Sequence, residues 1–325
     1  WTMISVIIAT KNRDEALRDI SLPSLLAQDT IDFEVIVWDA SDNDRSEKVA
    51  GDYASRFGKK GVLFRYYKAP RVGSASQRND AVSEARGDFV FFIDDDCEVS
   101  SDGLTCLEKC FTNNPACMGA GLRLMDGSNE KGSQPSLQDQ LKETLYTVFA
   151  YVKKRKVHPS GSNKGISAPP GPAEWLSGGA MAFRGEIFHS MKFNEKLQTF
   201  GGYAMSEDVE FSHRVFLHFD TPLLVPSGGY VVHHEAPQAR DRTDEKRIAM
   251  FFYNRYLVMQ TASVRAPLWG RVAFSWNIMR RFLKMALRYG FRVTGKGFVL
   301  AVRQIHEDKK NKRSVKKTPK KELPR

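Results

Sequence analysis

The chain has no run of about 18 apolar residues, so a membrane-spanning helix is not among its expected elements. Its first residues lack the basic-then-apolar layout of a signal peptide, and a cytoplasmic protein is expected. Cysteine is scarce. Cys97, Cys106, Cys110 and Cys117 fall in one segment, none is spaced Cys-x-x-Cys, and no nearby histidine completes a zinc pattern. Reduced, packed thiols follow from that. No internal repeat is visible, which sets aside solenoids and propellers. Acids are missing from one long stretch: between Val264 and His306 there are nine Lys/Arg and no Asp or Glu.

The 325 residues are 42% hydrophobic, enough for a substantial core. The net charge is +11, and residues 303–325 hold ten Lys/Arg against three acids, so most of the excess lies at the C-terminal end. Arg281, Lys284, Arg288 and Arg292 recur at helical spacing beside Trp269, Trp276, Met279, Phe282 and Leu283. That pattern suits a basic amphipathic segment over residues 264–306 lying on an anionic membrane surface. A basic, disordered tail is expected over residues 307–325.

The first hundred residues alternate strand and helix. Strands are expected at Met3 to Ala9, Phe33 to Asp39, Val62 to Tyr67 and from Phe89, with helices over Asp14 to Gln28, Ser46 to Phe57 and Ser74 to Arg86. Such alternation implies a mostly parallel sheet covered by helices, an α/β Rossmann-like domain. Further on, helices are expected near Gly103 to Phe111, over Leu137 to Lys154 and over Asp244 to Ser263, and a Pro/Gly/Ser-rich mobile loop over His158 to Pro172. Residues 1–263 form one unit in this reading, with the regularly alternating half over 1–100 and a looser half over 101–263.

The most informative segment is Phe89-Val90-Phe91-Phe92-Ile93-Asp94-Asp95-Asp96, a buried strand running into three carboxylates. Ligands bind beyond the carboxyl ends of strands in open α/β sheets, and carboxylates suit Mg²⁺ or Mn²⁺. An acidic turn capping the next helix is the competing reading.

In order along the chain, ISVIIATKNR, VIVWDAS, GSASQRNDAVSEARGDFVFFIDDD, WLSGGAMAFRGEIF, SEDVEFSHR and VVHH resemble glycosyltransferase family 2, across roughly residues 3 to 260. The resemblance implies the GT-A fold and an inverting transfer from a nucleotide sugar, UDP-, dTDP- or GDP-linked, with Mn²⁺ or Mg²⁺. It implies donor contacts from Thr10, Asn12 and Arg13, nucleobase recognition by Asp39, and a basic role near the donor for Arg78. Asp94-Asp95-Asp96 stand at the family's Asp-x-Asp position, with Asp96 as metal ligand, Asp94 on the ribose or metal-bound water, and His233 (in preference to His234) completing the coordination. Asp208 is implied as the base with Glu207 supporting it. Trp175, Ser177, Gly178 and Gly179 are implied to border sugar and acceptor, a glycan or lipid-linked hydroxyl at the cytosolic face of a membrane. Two other classes remain at this stage: a sugar-nucleotide pyrophosphorylase, which would call for a glycine-rich loop after the first strand where ATKNRDEA stands, and a non-catalytic basic protein of membranes or nucleic acid. No nucleic-acid motif occurs, and no nucleic-acid partner is expected.

Overall fold

A computed structural model describes residues 2–126, 155–163, 170–201, 204–234 and 244–317. The expected helix over Leu137 to Lys154 lies outside the described residues, as does the middle of the expected loop over His158 to Pro172.

The strand-helix alternation folds as expected. Strands β1 (Ile4–Thr10), β2 (Phe33–Asp39), β3 (Leu63–Lys68) and β4 (Phe89–Asp94) pair in parallel, in the order β3-β2-β1-β4. Successive strand side chains point to opposite faces, and the apolar residues fill both. Val6, Ile8, Val35, Val37, Phe91 and Ile93 pack on one side with Leu22, Phe57 and Phe111. Ile7, Ile36, Val90 and Phe92 pack on the other with Ala75, Phe211 and Tyr253. This two-sided burial explains the nearly continuous hydrophobic runs of these strands.

The first helical stretch is Asp14–Ala16 (α1) and Leu22–Leu26 (α2), joined by a π-helical turn at Leu17–Ser21. Helices α3 (Arg45–Lys60) and α4 (Ser74–Val82) follow β2 and β3. Beyond β4 the elements shorten to β5 (Cys97–Val99), α5 (Gly103–Asn113), β6 (Gly119–Gly121) and β7 (Arg123–Asp126). The apolar segment at Met118 to Leu124 thus divides between two sheets. The main sheet continues β4-β9-β6-β10-β8, with β8 (Gly171–Ala173) and β9 (Met181–Arg184) antiparallel to their neighbours and β10 (Leu223–Val225) parallel to β6. A second sheet, β5-β11-β7, uses β11 (Tyr230–His233).

Helix α6 (Glu207–Phe219) and helix α7 (Glu245–Ala262) close one face. Asp244 caps α7, accepting from the Arg247 amide at 2.8 Å. The C-terminal extension is helical as expected, and the helix runs on into residues 307–317 of the expected tail. The extension forms two helices, α8 (Pro267–Tyr289) and α9 (Phe291–Lys317), separated at Gly290 with φ of 91°. Helix α9 is part of the fold rather than a disordered tail. Ala301 is buried, Phe298 meets Phe252 edge-on at 5.1 Å, and Asp308 accepts from Tyr253 (2.7 Å) and Lys196 (2.8 Å). Those anchors keep the helix going through residues whose charge alone suggested a solvated tail. Residues 318–325 lie outside the described residues.

Candidate active site

The carboxyl ends of β1 and β4 open into a cleft of about 540 Å³. Thr10, Arg13, Arg78, Asp94, Asp95, Asp96, Ser177, Gly178, Gly179, Glu207, Asp208 and His233 all line it. These residues, scattered over more than 220 positions of the sequence, converge because of strand register.

The acidic triplet is the link between β4 and β5. Strand β11 pairs antiparallel with β5 so that His233 lies opposite Cys97, which brings its imidazole beside Asp96. His233 Nε2 is 3.4 Å from Asp96 Oδ1, whereas His234 Nε2 turns to Glu98 at 2.7 Å. Alternation along one strand therefore separates the two histidines. Among the described residues the buried Asp96 Oδ1 has no hydrogen-bond partner of good geometry, while Oδ2 accepts from Arg13. Burial acts to raise Asp96, but His233 and Arg13 overcome it and hold the carboxyl down to about 2. Burial pushes Asp95 up to about 7, against Arg13 at 2.9 Å and the Thr10 hydroxyl at 2.6 Å.

A carboxylate oxygen facing an imidazole fits a divalent ion. Cys97 Sγ also lies within 4.8 Å of both groups. Burial and the adjacent aspartates push its thiol well up, which keeps it protonated and a poor ligand.

The opposite wall starts at Ser206, a non-glycine residue at φ 67°, from which α6 begins with Glu207 and Asp208 in its first turn. Strained backbone of this kind gathers at functional sites. Asp208 Oδ2 accepts from the Gly178 amide at 3.0 Å and Oδ1 from the Val209 amide at 2.8 Å. Burial pushes Asp208 up, and those two amides act against it. Glu207 is likewise pushed up by burial, with the Arg78 charge opposing.

Arg78 joins the two walls. It is 3% exposed, donating to Glu207 at 2.7 Å, Asp94 at 2.9 Å and the Gly178 carbonyl at 3.3 Å. The glycines keep the passage open. A Cβ at Gly178 would stand 3.3 Å from Asp208 Cβ, and one at Gly179 would stand 2.8 Å from Cys97 Sγ and 3.4 Å from Asp94 Oδ2.

Three residues of the expected set lie elsewhere. Asp39 is fully buried at the end of β2, where Ser41 and Tyr66 donate to its two oxygens and Lys68 Nζ stands 3.6 Å away, so it does not line the cleft. Asn12, at φ 55°, ties the β1 loop to the β2 loop by exchanging hydrogen bonds with Asp42 at 2.7 and 2.9 Å. Trp175 is 6% exposed among Val157, Val209, Val258 and Ala262, which places it in the core rather than on the cleft. Lys11, Ser74, Gln77, Met205 and Arg247 also line the cleft. Arg247 had one legible signal, a cation in the first turn of a helix, where acids are favoured.

A doubly covered, mostly parallel sheet with an acidic triplet at its carboxyl edge and a second acidic pair facing it defines the GT-A class of sugar-transferring enzymes. The model of Glycosyl transferase family 2 matches residues 5–167, and the chain belongs to that family. Membership of that family speaks against the pyrophosphorylase reading. Among curated relatives, "Uncharacterized glycosyltransferase EpsJ" of Bacillus subtilis (strain 168) is 26% identical over 172 residues, 48% of each chain. The "GalNAc(5)-diNAcBac-PP-undecaprenol beta-1,3-glucosyltransferase" of Campylobacter jejuni is 33% identical over 105 residues, 32% of this chain and 33% of that protein. The matches span less than half the length of these relatives. The same fold occurs in S. aureus TarS 1-349 in complex with UDP-GlcNAc, at TM-score 0.60 and 15% identity, covering 92% of this chain and 79% of that one. Mannosyltransferase PcManGT from Pyrobaculum calidifontis, in complex with GDP-Man and Mn2+, shares it at TM-score 0.54 and 15% identity, covering 94% and 87%.

Proposed function

We propose that this glycosyltransferase is metal-dependent and inverting, and moves a sugar from a nucleoside diphosphate to a hydroxyl of a glycan or lipid-linked acceptor at the cytosolic face of a membrane. The observation that carries the reading is the single cleft in which Asp96 and His233 form one wall, Glu207 and Asp208 the other, and Arg78 the bridge. The UDP-GlcNAc bound to TarS and the GDP-Man and Mn2+ bound to PcManGT support a nucleotide-sugar donor and a divalent ion.

Asp96 and His233 would hold the ion, which supplies a positive charge where the departing diphosphate gathers negative charge. Arg13 holds the second oxygen of Asp96 and so fixes the carboxylate plane. Asp208 removes the acceptor proton while that oxygen bonds to the anomeric carbon, and the bond to the β-phosphate oxygen breaks with its electron pair leaving on the diphosphate. One displacement inverts the carbon. Burial raises the affinity of Asp208 for that proton, and the amides of Gly178 and Val209 fix its direction. Arg78, held on Glu207 and Asp94, positions the two walls.

The acceptor reading rests on the Campylobacter relative, whose name includes PP-undecaprenol, and on the outer face of α8. Among the described residues no helix is long and apolar enough to cross a membrane. Yet Leu268, Val272, Trp276, Met279, Leu283 and Leu287 form an exposed stripe at spacings of three and four, with Leu268 79% and Leu287 81% exposed. Arg271, Lys284 and Arg288 flank it without an acid. An apolar stripe with a basic border suits an anionic lipid surface.

Nucleotide sugars with UDP, dTDP and GDP bases, each with Mn²⁺, are tested by thermal shift. A donor at about 100 times its Kd adds roughly 2.7 kcal/mol of stability. Asp96→Ala is expected to lose the Mn²⁺-dependent part of that gain. An equal gain with EDTA, or in Asp96→Ala, would overturn the metal assignment.

A further inference from the structure

Helix α7 carries an arginine, Arg255, that does not line the cleft. Arg255 Nη1 donates to the Gly161 carbonyl at 2.7 Å, and the guanidinium lies 5.7 Å from the centroid of the Phe251 ring. The guanidinium of Arg281, from α8, lies 5.9 Å from the centroid of that same ring. Two cations thus share one aromatic side chain. Among the described residues, no carboxylate ion-pairs with either, and the other oxygen acceptor at Arg255 is Asn163 Oδ1 at 3.5 Å.

The arrangement is fixed from both sides. A Cβ at Gly161, whose φ is 76°, would stand 2.7 Å from the Met259 amide nitrogen of α7, so the loop that supplies the carbonyl lies hard against that helix. Asn277 of α8 donates to Ser160 at 2.9 Å, which fastens the same loop to the second helix. Burial and the neighbouring Arg281 push Arg255 down to about 10, with Asp208 acting in the opposite direction. Like charges held together without an anion are unfavourable, and a phosphate suits them because guanidinium forks bind its oxygens in pairs.

We propose that Arg255 and Arg281 form a phosphate site for the acceptor, taking the phosphate or diphosphate that joins a lipid chain to the acceptor sugar. This rests on Asp208 acting as the base. The donor diphosphate belongs to the wall of Asp96 and Arg13, whereas Arg255 feels the charge of Asp208 and Arg281 belongs to the helix with the exposed apolar stripe.

The test uses the full chain, with farnesyl diphosphate in neutral detergent micelles and EDTA present to keep divalent ions off the nucleotide cleft. Arg281→Gln, at an exposed position, is expected to weaken farnesyl diphosphate binding roughly tenfold or more, and Arg255→Gln to do the same. Farnesol binding and adsorption to phosphatidylglycerol vesicles are expected to stay as in the unaltered chain. Equal affinity of Arg281→Gln for farnesyl diphosphate would overturn the proposal. So would a matching loss on phosphatidylglycerol vesicles, which would make Arg281 part of a general lipid-surface contact. Nucleotide binding in Mn²⁺ is measured alongside: its absence would sink the donor reading and leave the phosphate site standing on its own result.

Discussion

Replacing Arg78 by Met keeps length and apolar contact but removes the charge that joins the two walls. Glu207 has a side chain 10% exposed and loses a partner at 2.7 Å, keeping the Ser74 hydroxyl at 3.4 Å. Breaking a buried pair by removing one member costs about 3–5 kcal/mol, because the remaining charge is stranded. Asp94 is 42% exposed, so water replaces most of what Arg78 gives it, and that contact adds about 0–1 kcal/mol. The expected loss is therefore about 3 kcal/mol, or roughly 4–5 °C in Tm for a chain of this size.

Urea unfolding followed by tryptophan fluorescence measures this, and the double variant Arg78→Met/Glu207→Gln is the control. With no stranded charge, the double variant is expected to recover most of the loss. The pH dependence has a definite sign. Burial already raises Glu207 above its unfolded value, and removing Arg78 raises it further. Such a group adds stability below its unfolded pKa and loses it as pH rises through the folded one. The deficit of Arg78→Met from this group should accordingly be small below about pH 7, the folded value of Glu207 in the unaltered chain, and grow as pH rises above it. A loss under about 1 kcal/mol, or a double variant no better than the single one, would refute the bridge.

Other consequences are equally specific. Changing Leu268, Val272 and Leu287 together to Ser should leave Tm nearly unchanged, because all three are largely exposed, and weaken adsorption to phosphatidylglycerol vesicles roughly tenfold or more. Equal sedimentation of the triple variant with such vesicles would contradict the membrane face. The acid limb of kcat should fall at a higher pH than an ordinary aspartate gives, since Asp208 works deprotonated and burial raises it.

The parallel half of the fold was legible because β1, β2 and β4 are buried on both faces and read as long apolar runs. The edge at which Asp94, Asp95 and Asp96 emerge was legible for the same reason. Side-chain direction was not. Asp39 ends its strand as expected, but Ser41, Tyr66 and Lys68 draw the carboxylate inward, and those partners come from a turn and a neighbouring strand. Trp175 stands two residues from a cleft-lining serine, yet packing against Val209 and Val258 settles its place. His233 and His234 are separated by the register of β11 on β5, which three- and four-residue strands do not announce. Arg255 and Arg281 come together only when α7 and α8 pack, a contact that 25 intervening residues conceal.

The most direct measurement of the central claim is Asp208→Asn in a single-turnover assay of Mn²⁺-dependent nucleotide-sugar cleavage, with donor affinity measured on the same samples. A base at this position predicts a rate lower by roughly 10²- to 10⁴-fold, with donor Kd changed by no more than about twofold. Cleavage at near the original rate would contradict the assignment of the second wall of the cleft.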